Sequence, residues 1–141
     1  NDNPLAGRTD LTLDALEDLN LLLLDDGHCL RDQIVELCKI AAVHRPASAE
    51  SVTRASSLTT VVQLVVAGMG STLIPSSAVA TELTRPGVAA ATFADGVDAK
   101  RTIGLVYRSS SQRTSEFEQL GKLVTAAFEQ AQESGNALLP R

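Results

Sequence analysis

The chain has 141 residues, enough for one domain with a real core or for two small lobes that share one. Hydrophobic residues make up 44% and charged residues 21%, an ordinary globular balance that excludes a disordered tail, and no apolar run nears the roughly 20 residues that cross a bilayer. With 17 acidic against 12 basic residues the net charge is −5, and no Lys/Arg cluster is present, so this chain by itself is not built to grip nucleic acid.

Asn1-Asp2-Asn3-Pro4 offers neither the basic region nor the apolar core of a signal peptide, and the chain lacks an initiator Met. The expectation is a segment of a longer, cytoplasmic protein. Leu13, Leu16 and Leu19 recur at helical spacing with acids nearby, predicting a short helix within 11–19. Leu21 to Leu24 is a continuous apolar run ending at Asp25-Asp26-Gly27, as in a strand buried on both faces. A helix is predicted from Leu30 to Val43, closing before Pro46. Val52 to Ala55 reads as a short strand. Ser57 caps a helix running to Ala67, with Gly68 as its terminator. Ser71 to Pro75 reads as a strand, Ser77 to Leu83 as a short helix, and Val88 to Phe93 and Thr102 to Tyr107 as further strands, with a turn or hinge at Asp95 to Lys100. Ser115 and Glu118 form a capping box before a long amphipathic helix whose apolar stripe is Phe117, Leu120, Val124, Ala127, Phe128 and Ala131, fraying after Gly135. Strands alternating with helices predict an α/β layered fold with a largely parallel sheet.

The two cysteines, Cys29 and Cys38, carry the chemistry. A reducing cytosol disfavours a structural disulfide, which leaves inert core thiols, metal ligands or redox chemistry. On one helix, nine steps of 100° put the two side chains about 180° apart and roughly 13 Å apart along the axis. A disulfide needs Cα atoms within about 7 Å. The two thiols can bond only if the helix unwinds, and a bistable element driven by thiol chemistry is the basis of a redox switch. Cys29 follows Gly27-His28 at the helix start, where backbone N–H groups favour an anion, and His28 and Arg31 adjoin it. Cys38, on the apolar side, suits a resolving thiol held back until the helix loosens. Two readings stand beside this one. Buried free cysteines are common, and spacing alone gives two inert thiols even weight. A zinc site from His28, Cys29, Cys38 and His44 is the other, although its spacing matches none of the short Cys-x-x-Cys patterns.

The segment Gly27-His28-Cys29-Leu30-Arg31-Asp32-Gln33, followed by Cys38, strongly resembles the redox segment of the OxyR-type peroxide sensors of the LysR family. Arg101-Thr102-Ile103-Gly104-Leu105-Val106-Tyr107-Arg108 resembles a late strand of the same family, Ser57 to Gly68 and then Gly70 to Pro75 resemble LysR-type effector domains more generally, and Pro4-Leu5-Ala6 resembles the family's lobe crossover. The resemblance implies a two-lobed, periplasmic-binding-protein-like regulatory domain, with residues 1–100 as lobe II and 101–141 returning to lobe I. It implies a peroxidatic Cys29, a resolving Cys38, and a peroxide pocket that includes His28, Asp32, Gln33 and Arg101. By composition alone, Arg101 is a strand-edge charge, and Asp32 and Gln33 belong to a solvated first helical turn. The resemblance further implies hydrogen peroxide as effector, no cofactor, no membrane, self-association as a dimer or tetramer, reduction by a thiol system, and DNA contact only through an N-terminal domain outside this chain. The rival readings are a thiol peroxidase, for which nothing before Cys29 supplies the Pro-x-x-x-Thr/Ser-x-x-Cys pattern, and a LysR-type domain that binds a small metabolite, its cysteines incidental.

Overall fold

The computed structural model describes residues 3–41 and 54–140. Its centre is the apolar run 21–24. Strand β1 (Leu23–Leu24) pairs in parallel with β2 (Arg54–Ala55), with Leu23 opposite Arg54 and Leu24 opposite Ala55. On the other side Leu21 forms a parallel bridge with Ser71, closed by Leu22 N–H donating to Ser71 O at 2.7 Å and Ser71 N–H donating to Asn20 O at 2.9 Å. A second parallel bridge joins Leu11 to Phe93. Successive strand side chains point to opposite faces, and the core divides accordingly. Leu21 and Leu23 enter one cluster with Leu16, Ile34, Leu37 and Cys38, while Leu22 and Leu24 enter another with Ala55 and Val61. All four leucines are buried. The run is apolar throughout because both of its faces are covered.

Helix α1 (Cys29–Ile40) covers the first face and α2 (Leu58–Val66) the second. The Ser57 side chain caps α2 by accepting from Thr60 N–H at 3.2 Å, as its position before an apolar-periodic run predicts. The helix closes through Gly68 N–H donating to Val65 O, with Gly68 at φ 76°. Helix α3 (Ser76–Glu82) is tied to α2 by a buried carboxylate: Glu82, 5% exposed, accepts from Thr59 Oγ1 at 2.9 Å, and Arg85 Nε stands 3.7 Å away. Helix α4 (Thr114–Asn136) packs along α3, where Gln132 Nε2 donates to Ser76 Oγ.

Several expectations change. The segment 11–19 makes only one 3-10 turn, Leu13–Leu16, since Leu11 is drawn into a bridge with Phe93. Helix α1 runs Cys29–Ile40, one residue earlier than predicted and ending before Val43, which with Val52 lies outside the described residues. The predicted strands 71–75 and 88–93 contribute single bridges, at Ser71 and Phe93, and among the described residues 102–107 forms no ladder. Helix α4 begins at Thr114, so Ser115 sits inside its first turn and the capping box does not form. Thr114 Oγ1 donates to Ser111 O at 3.1 Å and Arg113 Nε donates to Glu116 Oε2 at 3.0 Å in its place. The predicted stripe is largely uncovered, with Leu120, Val124 and Phe128 exposed, because α4 meets α3 through its C-terminal end.

Helix α4 ends at Asn136, one residue past the Gly135 after which fraying is predicted, and Gly135 itself is held against α3. It is buried within α4, and a Cβ there would run into the carbonyl oxygen of Ser76 and press on Val79. Hydrogen alone fits between the two helices. Gly135→Val is therefore expected to push α4 off α3 and lower the thermal midpoint by several degrees, despite valine's better helix propensity. An unchanged midpoint, with amide protection retained across 76–82, would mean that α4 does not pack this tightly against α3.

Candidate redox site

The site is built by the passage from β1 into α1. Asp25 N–H donates to Ala55 O, so the chain leaves the sheet in a fixed direction. It turns at Gly27, whose φ of 91° lies in the left-handed region that disfavours any side chain. His28 takes extended backbone angles as N-cap, with no side-chain capping bond, and its carbonyl accepts from Asp32 N–H at 3.3 Å. Cys29 is then the first residue of the helix, exposed to solvent, beside unpaired backbone N–H groups and the positive end of the macrodipole. The thiol is placed where a small oxidant reaches it.

Cys38 lies nine residues later on the same unbroken helix. Its side chain is 4% exposed, in the cluster of Leu16, Leu21, Leu23, Ile34 and Leu37. Both cysteines are free thiols. With α1 intact from Cys29 to Ile40, the rise alone keeps them roughly 13 Å apart along the axis, well beyond disulfide reach. Burial pushes the Cys38 thiol above its ordinary range.

That shift has a sign. A thiol whose folded pKa is raised stabilises the fold fully below its unfolded value of about 8.5 and loses that contribution as pH rises through the folded value. Under reducing conditions, urea unfolding is expected to show the stability advantage of the native chain over Cys38→Ala narrowing progressively above pH 8.5 or so. A gap that stays constant to pH 10.5 or so would mean that Cys38 ionises as easily in the fold as in the open chain.

The remaining predicted residues are partly assembled. Asp32 is exposed in the first turn, 3.9 Å from Arg31 Nη1. Gln33 Nε2 donates to Lys100 O at 3.4 Å, and Ala99 packs against the cluster that holds Cys38. The hinge 95–100 is thereby tethered to α1, and Arg101, the next residue, follows directly from that tether. Arg101 itself is exposed, and its approach to Cys29 is not part of the described hydrogen bonds and ion pairs. His44 lies outside the described residues. Among the described residues no group of three or more His, Cys, Asp or Glu is arranged to hold a metal ion, and no helix is long and apolar enough to cross a membrane.

Sequence reasoning passed over one partner. Asp26 Oδ1 pairs with Arg31 Nη2 at 2.9 Å, bridging the turn that carries Gly27, His28 and Cys29. An acid one turn ahead of a helix and a base in its first turn is the pattern that could have revealed the pair.

Comparison with known proteins is consistent with this geometry. A family model described as LysR substrate binding domain matches residues 1–129. A Mycobacterium avium protein named as a probable hydrogen peroxide-inducible genes activator is 48% identical over 122 residues, covering 86% of this chain and 38% of the relative. The Escherichia coli DNA-binding transcriptional dual regulator OxyR is 40% identical over 128 residues, covering 91% of this chain and 40% of that protein. The chain thus spans about two fifths of the length of these relatives. Among solved structures, a peroxide-bound cysteine-to-serine mutant of Corynebacterium glutamicum OxyR matches at TM-score 0.89 with 59% identity, over 96% of this chain and 42% of that one. The oxidised form of the same organism's OxyR matches at TM-score 0.74, also at 59% identity, over 96% of this chain and 41% of that one.

Proposed function

The chain belongs to the LysR substrate-binding domain family, whose fold is periplasmic-binding-protein-like, and from that premise we propose that it is the peroxide-sensing regulatory part of an OxyR-type transcription regulator, not an enzyme. One observation carries the reading: a single unbroken helix holds an exposed thiol at its N-terminus and a buried one nine residues on. The Cys29 thiolate attacks one oxygen of hydrogen peroxide. The O–O bond breaks, the sulfur loses two electrons and becomes a sulfenic acid, and the departing hydroxide takes a proton to leave as water. Once α1 loosens, Cys38 sulfur attacks Cys29 sulfur. The S–S bond forms, the S–O bond breaks, and the hydroxide leaves as water with the Cys38 proton.

In this reading His28, Asp32, Gln33 and Arg101 form the pocket that binds peroxide and moves its protons, and the tether from Gln33 to Lys100 brings the Arg101 segment to the helix. The closer fit to the peroxide-bound mutant than to the oxidised form, at equal identity, supports a reduced conformation here and a different one after oxidation. Residues 1–100 serve as lobe II of a two-lobed domain with a mostly parallel sheet, and 101–141 return to lobe I. The exposed Ile103, Leu105, Val106, Leu120, Leu123 and Val124 supply the apolar surface on which the rest of that lobe would close. Refolding of the 29–38 segment re-registers neighbouring subunits of a dimer or tetramer, and DNA is contacted by a part of the protein outside this chain. A cellular thiol system returns the pair to the reduced state in the cytoplasm.

Mass spectrometry of the peroxide-treated protein, paired with circular dichroism, tests the mechanism. A Cys29–Cys38 crosslink accompanied by loss of helix signal is expected. A crosslink with full helix content retained would defeat the proposal.

A second reading has one observation in its favour. A cavity of about 590 Å³ lies between the 3-10 turn, α2, α3 and the segments 71–74 and 87–93, lined largely by apolar groups such as Leu11, Leu16, Val62, Val65 and Phe93. A metabolite-binding domain with incidental cysteines would use such a space. Tight metabolite binding with a response unchanged in Cys29→Ser would establish it.

A further inference from the structure

We infer that the Asp26–Arg31 ion pair is a latch on the first turn of α1, which holds the reduced helix closed over Cys29 and sets how readily the sulfenic acid passes on to the disulfide. This rests on the peroxide-switch reading of the same site and adds a positioning pair to it.

The geometry is specific. Asp26 lies outside the helix and Arg31 inside its first turn, so their 2.9 Å contact closes a loop around Gly27, His28 and Cys29. The Arg31 side chain is only 15% exposed, whereas Asp26 is 69% exposed, so the arginine is held in place by packing and the carboxylate comes to it. Arg31 Nε is buried without a hydrogen-bond partner, which leaves the Nη groups to satisfy the guanidinium. Asp32 reaches Nη1 only at 3.9 Å and is a weak substitute for Asp26. No side chain caps α1 at His28, so the pair takes over the task of fixing the entry turn.

The two chemical steps ask opposite things of that turn. Attack on peroxide uses the folded helix start, whereas resolution requires residues 29–38 to unwind, and Arg31 sits inside that segment. A contact present only in the folded helix stabilises the reduced state and the sulfenic acid relative to the disulfide. Removing it favours the disulfide while leaving the first step in place.

The test uses the intact protein. Asp26→Asn removes the charge at an exposed position with little change of shape, and Asp26→Glu retains it. In the Asp26→Asn protein, the Cys29–Cys38 dithiol–disulfide equilibrium against a glutathione redox buffer is expected to shift about threefold toward the disulfide, a midpoint roughly 14 mV more negative at 29.6 mV per tenfold. Stopped-flow resolution should quicken by a similar factor, and Asp26→Glu should restore native behaviour. In a Cys38→Ser background, trapping of the Cys29 sulfenic acid should proceed within about twofold of the native rate. Paired with Arg31→Met, the two substitutions should be less than additive on the midpoint, as groups in direct contact are. An unchanged midpoint in Asp26→Asn, or additive effects in the pair, would overturn the latch while leaving the switch standing. Absence of any Cys29–Cys38 crosslink in the native protein would remove the switch and the latch together.

Discussion

Replacing Cys29 by serine is expected to abolish the response to peroxide entirely: no disulfide, no sulfenic acid at this position, and no loss of helix signal at any peroxide concentration that spares the rest of the chain. The side chain is exposed at the helix start and takes no part in the core, so the fold itself should be unaffected within about 0.5 kcal/mol. Cys38→Ser should behave differently. Peroxide would still oxidise Cys29, and sulfenic acid would accumulate, detectable by a dimedone adduct in place of the crosslink. Cys38 is also a core residue, so a hydroxyl placed among Leu16, Leu21, Leu23, Ile34 and Leu37 without a partner should cost about 1–3 kcal/mol of stability. The contrast separates an attacking thiol from a resolving one. Identical chemistry in the two variants, or a dimedone adduct on Cys38 in Cys29→Ser, would reverse the assignment.

Ile34→Ala carries the second large effect. Ile34 is 2% exposed, one turn from Cys38, and it anchors the middle of α1 to β1. Truncating a buried isoleucine costs about 2–5 kcal/mol in lost transfer energy and residual cavity. Because that contact belongs to the reduced helix, which must leave its seat for the thiols to meet, the variant should form the disulfide at lower peroxide and resist reduction. Native-state hydrogen exchange should show protection falling across Cys29–Ile40 more than across Leu58–Val66, the helix on the opposite face of the sheet. A uniform loss over both helices would mean that α1 does not detach as a unit, and the switch would then have to work through opening of the whole domain.

Much of the site could be read along the chain because its physics is local. The run Leu21–Leu24 declares a doubly covered strand by having no polar member, and the structure divides it into two alternate faces. Ser57 and Gly68 bracket α2 as cap and terminator because each acts on its own neighbouring backbone. The separation of the two thiols follows from the rise of a helix, so it needed only the helix to be there. Strands 71–75 and 88–93 were harder. Ladder formation depends on a neighbour's register, and apolar periodicity in one segment does not specify it.

By itself, then, the amino-acid order determined that helices α1 and α2 form, that Cys29 stands at a helix start, and that Cys38 cannot reach it without unwinding, since all three depend on spacings of fewer than a dozen residues. Tertiary packing decided the rest. It buried Cys38 and left Cys29 in solvent, brought Lys100 to Gln33, seated Gly135 against Ser76, and left the apolar stripe of α4 uncovered. Each of these joins groups far apart in sequence or depends on which surface finds a partner, and a linear pattern encodes the face a helix offers but not what comes to meet it.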